Sequence, residues 1–167
     1  MLSLAPLQAS DIAEIAAAFA ALGWNKPASQ YERYLQEQDA AARAVRVARR
    51  DGVFAGYVTV LWQAGYEPFA QAHIPEIQDF NVLPDFRRRR VGTALMDTAE
   101  VLIAARSPVA GLGVGLHHDY GAAQRLYVLR GYAPDARGIT SHGRHVNWGD
   151  AAKIDDDLVL WLTKTLS

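Results

Sequence analysis

The chain has no cysteine. That excludes disulfides, thiolate metal sites and a cysteine nucleophile together. It also has almost no net charge, -1 from 17 basic and 18 acidic residues, and so no global basic field to gather nucleic acid. No stretch reaches the length of a membrane span without charge. The opening MLSLAPLQASD has no basic region leading into a long apolar run, so it does not read as a secretory signal. There is no internal repeat and no low-complexity linker. These absences predict a soluble, cytoplasmic protein with no membrane and no nucleic-acid partner. What is present is 50% hydrophobic residues over 167 positions, enough for one core, and the expectation is a single domain over residues 1–167.

Positive charge is local. Arg87–Arg90 are four consecutive arginines between a strand-like run, Ile77–Val82, and a helical pattern opening at Val91-Gly92-Thr93-Ala94. A strand feeding a basic loop and then a helix start is a phosphate-binding arrangement. The first helical N–H groups have no intrahelical partner, and they face an anion with the positive end of the dipole. Gly92 lets the backbone approach a ligand because it has no Cβ. Without a ligand the four arginines would be a solvated basic face or an RNA contact; their place at a glycine-containing helix start favours a ligand.

Along the chain, Leu2–Leu7 reads as a strand. Ser10 is placed to cap a helix with Ile12, Ile15, Ala16, Phe19 and Leu22 inward, ended by Gly23, and Ser29 to cap a second with Tyr31, Tyr34 and Leu35 on one face. Arg43–Arg50 alternates, Asp51-Gly52 is a hairpin signal, and the apolar run Val53–Trp62 reads as a strand buried on both faces. Gln63–His73 reads as a loop. Pro75–Val82, a helix Val91–Arg106 with Val91, Leu95, Thr98, Leu102 and Ala105 inward, and Leu112–Leu116 form a strand–helix–strand unit with a parallel pair. A helix Tyr120–Arg130 follows, then a strand from Tyr132, a polar loop Gly138–Asp157 and a last strand Leu158–Leu162.

Two motifs resemble the GNAT superfamily of N-acetyltransferases. One is Arg87-x-x-Arg90-x-Gly92 with its lead Val82-Leu83-Pro84-Asp85-Phe86, matching a Gln/Arg-x-x-Gly-x-Gly/Ala loop. The other is Ala123, Leu126, Tyr127, Gly131 and Tyr132, matching Asn-x-x-Ala-x-x-Leu-Tyr-x-x-x-Gly-Phe. Element order agrees over nearly the whole chain. Arg90 departs from the family by standing where a glycine is frequent, which implies either an ordinary helical-turn φ or a wider loop. Tyr120 departs by standing in place of asparagine. The resemblance implies an α/β fold with a mixed, mostly antiparallel sheet of about seven strands, a splayed parallel pair, and helices on both faces.

The resemblance further implies acetyl-CoA as co-substrate and direct transfer to a primary amine of a small molecule or peptide. Backbone N–H groups across Arg88–Thr93, with Val91 and Gly92 among them, would cradle the pyrophosphate, and the side chains of Arg87, Arg88, Arg89 and Arg90 would add charge. Asn81 and Val82 would meet the pantetheine arm, with the Val82 N–H on the thioester carbonyl. Glu76 and Asp79 are the two acids placed to serve as base; otherwise Glu76 is a solvated strand end and Asp79 a core-edge hydrogen bond. Strict alternation puts them on opposite faces, and a bulge would change that phase. Tyr127 matches the tyrosine that protonates the CoA thiolate. His117, His118 and Asp119, at the C-terminal end of their strand, would line the acceptor pocket. No metal is expected, since no histidine or carboxylate has the i, i+4 spacing of a helical zinc motif. The resemblance admits a homodimer, and no residue specifies one. The rival from another class is a non-catalytic acyl-CoA-binding regulatory domain. A Walker-type site is disfavoured, because no Gly-Lys-Ser/Thr follows the loop.

Overall fold

Asp51 and Gly52 turn the chain as their sequence predicts. Both have positive φ, 52° and 83°, as a type I′ turn requires. They join β2 (Arg43–Arg50) to β3 (Val53–Leu61), with Arg50 opposite Val53. The computed structural model that carries this hairpin describes residues 1–166. β1 (Leu2–Pro6) pairs antiparallel with β2. The rest follow as α1 (Ile12–Ala21), α2 (Ala28–Asp39), α3 (Glu67–Gln71), β4 (Glu76–Val82), α4 (Val91–Ala104), β5 (Val109–Gly115), α5 (Gly121–Leu129), β6 (Ala133–Ser141), β7 (Arg144–His145) and β8 (Leu158–Thr165). The strands form one sheet in the order β1-β2-β3-β4-β5-β8-β6-β7, mostly antiparallel with β4 and β5 as its parallel pair, and helices lie on both sides.

Among the described residues eight strands stand where about seven were expected. The extra one, β7, lies inside the expected polar loop, where left-handed His142 and Gly143 turn the chain so that Arg144 pairs with Ser141. The expected loop 63–73 contains α3, whose early Pro68 costs nothing because the first helical N–H groups have no partner there. Neither serine caps its helix. Gln8 and Asp11 cap each other at the turn before α1, the Gln8 N–H donating to the Asp11 carboxylate at 2.8 Å. Pro27 is extended, so α2 starts at Ala28 and Ser29 falls within its first turn. On α4 the buried residues are Val91, Leu95, Met96, Ala99 and Ile103, while Ala105 is exposed. Steps of four follow the core-facing row better than the alternating steps the sequence suggested.

The packing falls into two units. One comprises residues 1–62 and 77–102, the other 63–76 and the chain from 103 on. The first unit's core gathers Leu7, Ile12, Ile15 and Phe19 with Tyr31, Tyr34, Val45, Val47, Phe54 and Tyr57. It is rich in rings: Phe19 stacks on Trp24 and meets Tyr57 edge-on. β3 runs through this unit almost wholly buried, as its continuous apolar run predicts. In the second unit Tyr66, Phe69 and Trp161 form a ring cluster, with Tyr66 and Trp161 stacked at 4.1 Å.

Candidate active site

β4 carries an acid where a buried strand would ordinarily be apolar. Asp79 has φ 51°, so the strand is interrupted there by a left-handed residue and simple alternation fails. Its carboxylate accepts five hydrogen bonds. Lys26 Nζ donates at 2.6 Å and Asn81 Nδ2 at 2.8 Å to Oδ1. Gln30 Nε2 at 2.8 Å, the Tyr34 hydroxyl at 2.9 Å and the Tyr57 hydroxyl donate to Oδ2. Burial pushes the Asp79 pKa up, but Lys26 and the two tyrosine hydroxyls outweigh it, and the net shift is downward from 3.8. The tyrosines respond in the opposite sense. Burial first, then the Asp79 charge, pushes Tyr34 up to about 12 and Tyr57 well above the ordinary phenol range. The Lys26 ammonium also lies 5.7 Å from the ring centres of Phe19 and Tyr57, within cation–π reach.

Beyond β4 the chain makes a short turn at Pro84–Phe86 and then the arginine loop. Arg88 and Arg90 have φ of 60° and 64°. The expectation of an ordinary helical-turn φ at Arg90 is therefore corrected: arginine adopts the left-handed conformation open to glycine. Two ties brace the loop: Arg87 Nε donates to the Val82 carbonyl at 3.3 Å and Arg50 Nη1 to the Arg89 carbonyl at 3.3 Å. A left-handed residue for a non-glycine costs roughly 1–2 kcal/mol, an amount such ties can offset. Left-handed residues in a turn aim successive N–H groups to one side, the habit of an anion nest. The first helical bond here is from the Ala94 N–H to the Arg90 carbonyl, so the N–H groups of Val91, Gly92 and Thr93 belong to the open end of α4. A Cβ at Gly92 would come 3.2 Å from the Phe80 ring, a tight contact, and 3.5 Å from Val82 Cγ2, an ordinary one, so glycine lets α4 sit close to β4 here. All four arginines are solvent-exposed.

The other expected site residues lie in the second unit. Glu76 opens β4 and is 5% exposed, so it is not a solvated strand end. Tyr127 is buried on α5, its ring 6.0 Å from that of Tyr132, and burial, with Tyr120 as a smaller cause, raises its pKa. His117 Nε2 lies 3.0 Å from Asp156 Oδ1, which the Tyr120 hydroxyl also reaches at 3.0 Å. His118 is exposed and the Asp119 side chain is 84% exposed. Tyr120, the departure from asparagine, is accommodated by Gly115, where a Cβ would collide with its ring.

Sequence reasoning missed Lys26, Gln30, Tyr34 and Tyr57 as partners of Asp79, and Arg50 as a brace of the arginine loop. Tyr34 was placed on a packing face, and an acid amid apolar neighbours was the one signal of the cluster. Spacing also missed His142, Asp155 and Asp157, whose ligand-capable atoms lie within 4.8 Å of one another. They are joined by strand pairing rather than by helical spacing, and Lys153 Nζ sits 3.5 Å from Asp155.

Among the described residues, no helix is long and apolar enough to cross a membrane. The acetyltransferase (GNAT) family model matches residues 10–132. No curated protein matches the chain in sequence. Solved structures do. The ribosomal-protein-S18-alanine N-acetyltransferase from Escherichia coli is 14% identical with TM-score 0.71, covering 100% of this chain and 95% of its own. An acetyltransferase from Salmonella typhimurium, solved with its cofactor acetyl-CoA, is 16% identical with TM-score 0.70, covering 99% and 94%. A spermidine N-acetyltransferase chimera from Vibrio cholerae and hSSAT is 15% identical with TM-score 0.70, covering 99% and 95%. At these identities the likeness shows the fold and leaves the acceptor open. With the family model spanning most of the chain, the protein belongs to the GNAT family of acetyltransferases.

Proposed function

We propose that residues 1–167 form one catalytic domain that transfers acetyl from acetyl-CoA directly to a primary amine of a small molecule or peptide. The observation that carries this reading is the loop ahead of α4. Left-handed Arg88 and Arg90 lead into an open helix start whose Gly92 packs closely on the Phe80 ring, a cradle suited to a pyrophosphate. When bound, acetyl-CoA supplies an acetyl group activated as a thioester. The chain's own groups do the rest. The Val82 N–H orients the thioester carbonyl and receives its growing negative charge, and Asn81 meets the arm beside it. The amine gives up a proton to a carboxylate. Asp79 already holds five donors and accepts a further proton poorly, which favours Glu76 for that step, directly or through water. The Tyr127 hydroxyl returns a proton to the departing thiolate, and His117, His118 and Asp119 line the acceptor side.

The test is thermal shift with acetyl-CoA, followed by free-thiol release with an amine panel. No stabilisation by acetyl-CoA overturns the reading. Stabilisation without thiol release from any amine favours a non-catalytic acyl-CoA-binding domain instead.

Two variants probe the parts. Arg90→Gly relieves a left-handed arginine while adding backbone entropy, so stability should change by less than about 1 kcal/mol. Calorimetry should find acetyl-CoA affinity within about threefold if the backbone does the holding, since that is well under the energy of one charge-assisted hydrogen bond. A larger loss would assign the contact to the Arg90 side chain. Tyr127→Phe should lower kcat by about 10²-fold, the lower end for a general acid, with acetyl-CoA affinity similar. Equal turnover would remove Tyr127 from the acid role.

A further inference from the structure

The Asp79 carboxylate is filled. Five donors meet the roughly four acceptor positions that a carboxylate offers. Four of the five are neutral and stand on regular elements: Gln30 and Tyr34 on α2, Tyr57 on β3 and Asn81 on β4. The fifth, Lys26, is the cation, and it stands on the irregular connector between α1 and α2. The connector lies outside any helix or strand, with left-handed Gly23 three residues before Lys26 and exposed Asn25 and Pro27 on either side of it. A depression of about 410 Å³ lined by Ala16, Ala17, Ala20, Trp24 and Pro27 opens beside Lys26.

This arrangement is an ammonium site. It has a buried carboxylate for the charge, the Tyr57 hydroxyl 3.1 Å from the nitrogen, and the rings of Phe19 and Tyr57 along its walls. Its present occupant is the primary ammonium of an unbranched alkyl chain. A buried carboxylate stripped of its cation is costly, so a departing Lys26 must be replaced by another cation. The connector gives Lys26 a way out to solvent that the four helix and strand residues lack.

We infer that Lys26 is an internal stand-in for the acetyl acceptor: the acceptor is an unbranched primary alkylammonium that displaces Lys26 from Asp79 and takes its place between Phe19 and Tyr57. This rests on the acetyl-transfer reading above. In the step, the amine nitrogen forms a bond to the acetyl carbon as the carbon–sulfur bond breaks. One ammonium proton leaves to the Glu76 carboxylate before attack, and the second, lost as the amide forms, balances the proton that Tyr127 gives to the thiolate, so the products are an N-alkylacetamide, free CoA and one proton. A diamine, a lysine side chain and a peptide terminus offer the same charge, but the first two are unbranched at the carbon bearing nitrogen and the third is branched.

The experiment follows CoA release and acetamide formation with n-butylamine, sec-butylamine, 1,4-diaminobutane, an Nα-blocked lysine and a short peptide with a free terminus. The proteins are wild type, Lys26→Ala, Lys26→Met and the Lys26→Ala/Asp79→Asn double variant. A resident occupant reduces apparent affinity by the fraction of time the site is free, so removing it should lower KM for unbranched amines about tenfold. kcat should be retained, sec-butylamine and the peptide terminus should gain less, and the gain should vanish when Asp79→Asn is added. The diamine and blocked-lysine arms separate a small-molecule from a protein source. KM unchanged or raised in both folded Lys26 variants overturns the inference. So does an amine that binds Lys26→Ala by calorimetry without being acetylated, since the lysine then leaves only a hole. Lys26→Met keeps the packing if Lys26→Ala does not fold. Failure of acetyl-CoA to stabilise the wild type sinks the acetyl-transfer reading, and this inference with it. Stabilisation and turnover with an amine that gains nothing from either variant sinks this inference alone.

Discussion

Replacing Asp79 with alanine is expected to lower stability by about 3 kcal/mol, the lower end for removing one partner of a buried ion pair because both side chains keep some solvent. The Asp79 and Lys26 side chains are 16% and 18% exposed. Alanine strands the Lys26 ammonium and takes the acceptor away from Gln30, Tyr34, Tyr57 and Asn81 together. For a chain of this size the loss corresponds to a Tm lower by about 6–12 °C. Urea denaturation at pH 7 checks the magnitude. The pH dependence checks the cause. The folded pKa lies below the unfolded value of 3.8, so the contribution is fully present above about pH 4. It is lost as pH falls through the folded value. Wild type and variant should therefore differ most near neutrality and converge in acid. A difference that persists unchanged into acid would assign the loss to packing, not charge. If Asp79 holds the acceptor's charge as proposed, acetyl transfer should fall by at least about 10²-fold. An active Asp79→Ala protein would place the acceptor elsewhere.

Local chemistry was legible in the sequence wherever one short stretch decides the outcome. Asp51-Gly52 announces its hairpin because few residue pairs tolerate two positive φ angles. The apolar run of β3 announces burial on both faces, and the Arg87-to-Gly92 loop announces a helix start open to an anion. What could not be read depends on closure between distant segments. Lys26 and Asp79 are 53 residues apart, and nothing in either segment names the other. The left-handed Arg90 is a conformation its own residue type disfavours, held by Arg50 and Arg87 contacts that form only when β2 and the end of β4 are in place. Glu76 and Asp79 differ for the same kind of reason. Spacing presented two equivalent acids on one strand; the fold gives one of them five donors, one of which is a cation, and this unfits it for taking a proton and fits it for holding a charge. His142, Asp155 and Asp157 assemble through pairing of β6 with β8, which helical spacing rules do not register.

The end of β4 that would meet acetyl-CoA is set by a glycine on its neighbour, and Gly56→Ala should show it. A Cβ at Gly56 would collide with the Asn81 carbonyl oxygen and reach 3.0 Å from Val82 Cα. Both obstacles are backbone, so no rotamer change relieves them. Either β3 or β4 must move, and Leu83 N–H is tied at 2.9 Å to the Ala55 carbonyl beside the clash. Overpacking of this kind costs typically about 1–3 kcal/mol, and the upper end is expected because no flexible group can yield. The Tm should fall by about 6–12 °C. Gly111→Ala is the control: its Cβ would strike the Phe69 ring, a side chain, in the second unit. It should cost stability within the same range of about 1–3 kcal/mol without touching the segment that carries Asn81 and Val82. If the Val82 N–H orients the thioester carbonyl as proposed, displacing that segment misplaces it, and a donor misplaced by about 1 Å costs on the order of 10²-fold in rate. Gly56→Ala should therefore lose kcat and acetyl-CoA affinity at temperatures where it remains folded, while Gly111→Ala, matched for stability, keeps both. If the two variants lose activity in equal proportion, the Val82 N–H is not the group that orients the thioester, and stability alone explains the loss.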